Sequence, residues 1–149
     1  MILTLDASVV VKWHIASQEE RDSAQALLLL DFVLDGAKLA EPPHALAEIA
    51  AVLSRVFDEE GAKRRFDEVA RIFASGLTIP AHSACFRAIE ISSRLDHHLF
   101  DTLYHAVAME SGGVLVTADE GYFRKAEKLG AILLLERFSG TGSILRAMP

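Results

Sequence analysis

Residues 100–119 read FDTLYHAVAMESGGVLVTAD, and this stretch decides the fold. Phe100, Leu103, Tyr104 and Val107 recur at i, i+3, i+4 and i+7, which predicts a helix from about Leu99 to Glu110 with that stripe against a core. Gly112 and Gly113 stop it. Val114 to Thr117 then reads as a short strand, its unbroken VLV being the pattern of a strand covered on both faces in a parallel sheet. Asp101 falls in the first turn of the helix, and Asp119 emerges just beyond the strand. In open α/β sheets ligands bind in the crevice outside the carboxyl ends of the strands. Two acids are therefore offered to one crevice.

The same alternation extends outward. Ile2 to Leu5 reads as the first strand, ending at Asp6, after which Ser8 is expected to cap a short helix carrying Val9, Val10, Val11 and Trp13. Ser17 and Glu20 have capping-box spacing ahead of a helix over Ala24 to Leu34, closed by Gly36. Lys38 to Glu41 is a strand candidate before Pro42 and Pro43, with Pro43 suited to the first turn of a new helix. In that helix Leu46, Ile49, Ala50, Leu53 and Phe57 form a stripe, and Ala45, Ala47, Ala51 and Val52 are apolar as well. Such a helix is expected to be covered on several sides. Glu48 is the single charge among these residues, and a buried carboxylate is costly unless it is paired or bound to a cation.

Gly61 is expected to end this helix, and Ala62 to Ser75 to form another that opens on Lys63, Arg64 and Arg65. A short strand over Leu77 to Ile79 and a helix over Ser83 to Arg94 lead into the loop Leu95 to His98. Beyond the opening stretch come a helix over Tyr122 to Leu129, Gly130 as its stop, a strand over Ala131 to Leu135 and an irregular tail from Arg137 to Pro149. Strands alternating with helices at this spacing predict an α/β fold, a three-layer α/β/α sandwich around a mostly parallel sheet of four to five strands. At 149 residues, with no Pro-, Gly- or Ser-rich linker, the chain reads as a single domain over residues 1–149.

Composition narrows the classes. Hydrophobic residues make up 51% of the chain and its mean hydropathy is +0.26, which points to a surface shared with a second copy or a partner. The opening MILTLD lacks a basic segment before an apolar run, and LLLL at Leu27 to Leu30 is too short to span a bilayer, so a cytoplasmic protein with no membrane role is expected. Cys85 is the only cysteine, which excludes an internal disulfide and a cysteine zinc site. The formal net charge of -6 disfavours holding nucleic acid by charge alone, unless metal ions change the sum locally.

Asp6, Glu48, Asp101 and Asp119 each have an ordinary structural explanation singly, in turns, caps or helix-end charge. Together they stand at strand ends or in early helical turns that can converge on the carboxyl edge of one sheet. Four ionised carboxylates in one crevice repel, and without a cation some must protonate. Magnesium or manganese, with hard oxygen ligands and waters in the remaining positions, relieves that conflict.

The segments DASVVVKW at Asp6, AEIAAVL at Glu48, FDTLYHAVA at Asp101 and TAD at Asp119 resemble the PIN-domain nucleases, and in particular the VapC-type toxins of bacterial toxin–antitoxin pairs. The resemblance covers nearly the whole chain in order and spacing. It implies an α/β/α sandwich, a magnesium-dependent endoribonuclease acting on single-stranded or looped RNA, frequent homodimerisation and inhibition by a cognate antitoxin protein. Asp6, Glu48, Asp101 and Asp119 match the family's acidic quartet, with Ser8 and Thr117 at the small hydroxyl positions beside it. Glu120 and Gly121 depart from the pattern, standing where a basic residue often follows the last aspartate; Glu120 could act as a weak fifth acid.

On this reading Asp6, Asp101 and Asp119 hold one or two magnesium ions for in-line attack of water on phosphate, and Glu48 binds a second metal or positions the water. Ser8 and Thr117 orient carboxylates or metal-bound waters. Lys12, Arg64 and Arg65 are candidate phosphate contacts. The competing readings are a catalytically inert PIN-like module that binds RNA or protein, a transition-metal hydrolase using His97, His98, Asp101 and His105, and a haloacid-dehalogenase-like phosphohydrolase. That last family wants a second aspartate where this chain has Ser8.

Overall fold

Five strands, β1 (Ile2–Leu5), β2 (Lys38–Glu41), β3 (Leu77–Thr78), β4 (Val114–Thr117) and β5 (Ile132–Leu134), lie parallel in the order β3-β2-β1-β4-β5. The computed structural model describes residues 1–15 and 21–148. The central strands are the most apolar because both their faces are covered: Leu3, Leu5, Val114, Leu115 and Val116 are all buried. Leu3 pairs with Val114, Thr4 with Leu115 and Leu5 with Val116. Thr4, buried among them, donates its hydroxyl to the Ala40 carbonyl at 2.7 Å, which satisfies it.

The helices are α1 (Ala7–Lys12), α2 (Ser23–Leu34), α3 (Ala45–Val56), α4 (Glu59–Phe73), α5 (Ala81–Leu95), α6 (Leu99–Ser111), α7 (Glu120–Ala126) and α8 (Thr141–Ala147), with 3-10 turns at Glu127–Leu129 and Leu135–Arg137. From β1 the chain steps outward to β2 and β3, then returns past β1 to β4 and β5. Right-handed crossovers place the helices of these two directions on opposite faces, which makes the sandwich. Helix α6 packs on β1, β2 and β4, with α5 against it over Ala84, Ala88, Ile91, Leu103 and Val107. The reversal falls between β1 and β4. In open α/β sheets ligands bind at such a switch point, outside the carboxyl ends of the strands.

Several boundaries differ from the sequence reading, each for a local reason. Asp6, not Ser8, caps α1, its Oδ1 accepting the Ser8 N–H at 3.1 Å. The Ser17 to Glu20 box lies outside the described residues. Pro43 sits in a turn before α3, where the Ala45 N–H reaches the Pro42 carbonyl. Helix α3 stops at Val56, and Gly61 lies within the first turn of α4, because Asp58 caps α4 by accepting the Gly61 N–H at 2.8 Å. A Cβ at Gly61 would stand 2.6 Å from that carboxylate. Asp119 caps α7 through the Tyr122 N–H, so α7 begins at Glu120. The tail is not irregular throughout; residues 141–147 form α8, with Ile144 buried.

At the end of α6, Gly112 takes φ +67° and the Cβ of any residue at Gly113 would meet the Ile2 carbonyl at 2.7 Å. The double glycine therefore lets β4 enter tight against β1. Two expectations about helix faces fail. Phe100 is 60% exposed, because the first turn of α6 runs beyond the sheet, while residues 102–108 are all buried. Helix α3 is not covered all round: Ile49 and Leu53 are buried, but Ala47 and Ala51 are exposed.

Candidate active site

Asp6 stands at the switch point as the N-cap of α1, directly beyond β1, with its backbone N–H bonded to the Val116 carbonyl of β4 at 3.1 Å. Its Oδ2 accepts the Thr117 hydroxyl at 2.6 Å. Thr117 is fully buried at the end of β4, and its oxygen also accepts the Asp119 N–H at 3.0 Å. One hydroxyl thus ties the ends of the two central strands and orients the aspartates that follow them. Burial pushes the Asp6 carboxyl above its ordinary value, the charge of Asp101 adds to this, and the bonds from Thr117 and Ser8 oppose it.

Asp101, in the first turn of α6, is 41% exposed and lies 3.0 Å from His97 Nε2, off the line a hydrogen bond requires. The His97 ring stacks on Tyr122, centroids 4.7 Å apart. Glu48 accepts the Tyr104 hydroxyl at 2.7 Å and stands 3.7 Å from His44 Nε2. Its side chain is 40% exposed, so the burial argument made for it from sequence fails and its partners are these two rings. Burial first, then the adjacent Glu48 charge, holds the Tyr104 phenol far above its usual range, so it donates. Asp119 is exposed and joins the cluster through Thr117. Ser8 is exposed and bonds to Asp6.

Sequence reasoning missed Glu41. It ends β2, its Oε1 accepts the Leu5 N–H at 2.9 Å where β1 and β2 diverge, and its Oε2 is buried without a partner. Burial, and then the nearby Asp6 charge, raise it well above the ordinary carboxylate range. Glu41 is an acid at a strand end ahead of a proline, and that position, shared with Asp6 and Asp119, was the available signal. His44 was missed too. It packs against Phe100 and Tyr104, and burial lowers its pKa despite the pull of Glu48, the Phe100 main chain and Asp101.

The remaining candidates are placed as follows. His105 is fully buried, with Nδ1 2.9 Å from the Tyr122 hydroxyl and Nε2 2.8 Å from the Gly130 carbonyl, so both nitrogens are engaged away from His97. Glu120 is held by Arg21 at 2.6 Å and by Arg124 at 3.3 Å, which neutralises the extra acid. Lys12 donates to the Arg21 carbonyl at 2.9 Å. Arg65 lies 3.9 Å above the Phe57 ring and donates to the Gly61 carbonyl, and Lys63 pairs with Glu59. Arg64 is exposed.

Among the described residues no three His, Cys, Asp or Glu side chains stand close enough to form a ligand cage by themselves. Magnesium is commonly held by one or two carboxylates, with water and substrate phosphate completing its shell. The mutually repelling Asp6 and Asp101, and the orphaned oxygen of Glu41 behind Asp6, fit that hard-oxygen chemistry. Among the described residues no helix is long and apolar enough to cross a membrane.

The PIN domain family model matches residues 3–129. Among solved structures the fold is similar to a toxin–antitoxin complex from Klebsiella pneumoniae, with TM-score 0.64, 12% identity, and coverage of 91% of this chain and 98% of that one. It is similar to FitAcB from Neisseria gonorrhoeae, with TM-score 0.67, 18% identity, and coverage of 93% and 100%. It is also similar to VapBC2 from Rickettsia felis bound to a DNA fragment from their promoter, with TM-score 0.63, 18% identity, and coverage of 90% and 97%. No curated protein sequence matches the chain.

Proposed function

The chain belongs to the PIN-domain family, and on that premise we propose that it is a magnesium- or manganese-dependent endoribonuclease, the toxin of a toxin–antitoxin pair. The observation that carries the reading is the position of Asp6. It stands at the switch point between β1 and β4, faces the charge of Asp101, and is anchored by Thr117. A bound divalent cation supplies charge neutralisation of the phosphate and lowers the pKa of water.

The protein's own groups do the rest. Asp6 and Asp101 would hold the cation, with Asp119 beside them at the end of β4. Thr117 and Ser8 fix the Asp6 carboxylate so that its orientation need not be recovered at each turnover. Glu48, steadied by Tyr104 yet open to solvent, orients the attacking water and accepts its proton. Arg64, exposed on α4, would contact substrate phosphate, with Lys12 and Arg65 as lesser contributors. Attack by water, rather than by the ribose 2′-hydroxyl, leaves a 5′-phosphate and a 3′-hydroxyl.

The partners we propose are RNA, a cognate antitoxin and a second copy of the chain, within one nuclease unit over residues 1–149. Exposed Leu27, Leu28 and Leu34 on α2, and Phe86 with Ile89 one turn apart on α5, support apolar interfaces of this kind. The three solved neighbours are described as toxin–antitoxin, FitAcB and VapBC2 assemblies, which supports the antitoxin partner. The test is end-group analysis of RNA fragments released in magnesium and in EDTA. Magnesium-dependent fragments with 5′-phosphates are expected, and 2′,3′-cyclic phosphate ends would overturn the water mechanism.

A further inference from the structure

Three rings run in a ladder from the carboxylates to the surface. Tyr104 donates to Glu48, His44 packs edge-on against Tyr104 with centroids 5.0 Å apart, and Phe100 leans on His44 at 5.1 Å. The inner two are shielded, His44 being 18% exposed, whereas Phe100 is 60% exposed although it heads an apolar helical stripe. Its backbone is fixed by α6, and the adjacent residue is Asp101. An aromatic face is thus held rigidly in water, one residue from a carboxylate to which a phosphate is to be brought. We propose that Phe100, backed by His44, is a nucleobase subsite that stacks one unpaired base of the RNA beside the phosphate under attack.

The ligand class follows from the surroundings. The charges of Glu48 and Asp101 both act on His44, the ring behind Phe100, and repel an anion, so Phe100 takes an uncharged planar group while the phosphate goes to the cation. A paired base has both faces covered by its neighbours, so the subsite selects single-stranded or looped RNA without choosing a sequence. This rests on the ribonuclease reading of the carboxylates.

The test uses the full chain in calcium and a fluorescent single-stranded RNA twelve nucleotides long, beside an abasic strand with the same number of phosphates. Phe100→Ala is expected to weaken binding about 5- to 150-fold, the usual loss for one stacked base. Leu99→Ala, its exposed neighbour, is expected to leave binding unchanged. Phe100→Trp is expected to restore binding and to lose indole emission with the base-bearing strand only. Equal binding by Phe100→Ala and wild type, or equal binding of abasic and base-bearing strands, overturns the subsite and leaves the ring to a protein partner. Failure of the ribonuclease reading looks different: Phe100-dependent binding persists, but no RNA is cut in magnesium or manganese.

Discussion

Glu41→Gln isolates the charge of the buried acid behind Asp6 without removing its hydrogen bond. The amide oxygen can still accept the Leu5 N–H, held at 2.9 Å by Glu41 Oε1, while the partnerless Oε2 loses its charge. Burial, reinforced by Asp6, raises the folded pKa of Glu41 well above its ordinary 4.5. Above pH 4.5 the folded chain therefore keeps a proton that the unfolded chain has released. The stability contributed by this group is fully present below that pH and is lost as pH rises through the folded pKa. Within that window the loss is about 1.4 kcal/mol per pH unit, or roughly 3–6 °C in Tm for a chain of this size. The assay is thermal unfolding in EDTA from pH 4.5 to 8.5. Asp6 gives a slope of the same sign in both proteins, so the difference between them reports Glu41. Glu41→Gln is expected to gain on wild type steadily with pH and then run parallel. Glu41→Ala, which orphans the Leu5 N–H, is expected to lie about 1–3 kcal/mol below Glu41→Gln at every pH. Parallel curves for wild type and Glu41→Gln throughout would refute the reasoning, because Glu41 would then ionise in the folded chain as readily as in water.

Thr117→Val should lower manganese affinity about 10- to 100-fold by calorimetry, since the hydroxyl that orients Asp6 and receives Asp119 N–H is lost. His105 is held below its ordinary 6.5 by burial, so its contribution to stability is present above pH 6.5 and lost as pH falls toward its folded value. His105→Phe should therefore flatten the acid side of the Tm profile, while costing about 1–3 kcal/mol at pH 7.5 through the unpaired Tyr122 hydroxyl and Gly130 carbonyl. Arg64→Glu should slow RNA cleavage about tenfold at low salt, less at high salt, with manganese affinity unchanged, as expected for a phosphate contact.

The architecture was legible where pattern and packing agree. The run VLVT is a buried central strand because it is apolar without interruption, and the four acids stand at or near the ends of elements that periodicity located. Helix starts were less legible, because an aspartate before a helix can cap from outside the apolar pattern. Asp58 and Asp119 both do so, moving α4 and α7 upstream. Exposure was the weakest inference. Periodicity puts Phe100 and Glu48 on apolar helices but cannot say where a helix outruns the sheet, and both stand partly in solvent. Glu41 escaped for the opposite reason: a short polar-edged strand beside two prolines reads as surface, yet its last side chain turns inward to the Leu5 N–H.

The central claim is that Asp6 and Asp101 together hold the cation with which this chain cuts RNA. The most direct measurement is manganese titration and RNA cleavage run on the same preparations of wild type, Asp6→Asn and Asp101→Asn, with EDTA as the blank. The account predicts saturable manganese binding and metal-dependent cleavage in wild type, with both lost in each variant while the fold is retained. Cleavage that survives in either variant, or in EDTA, would contradict it.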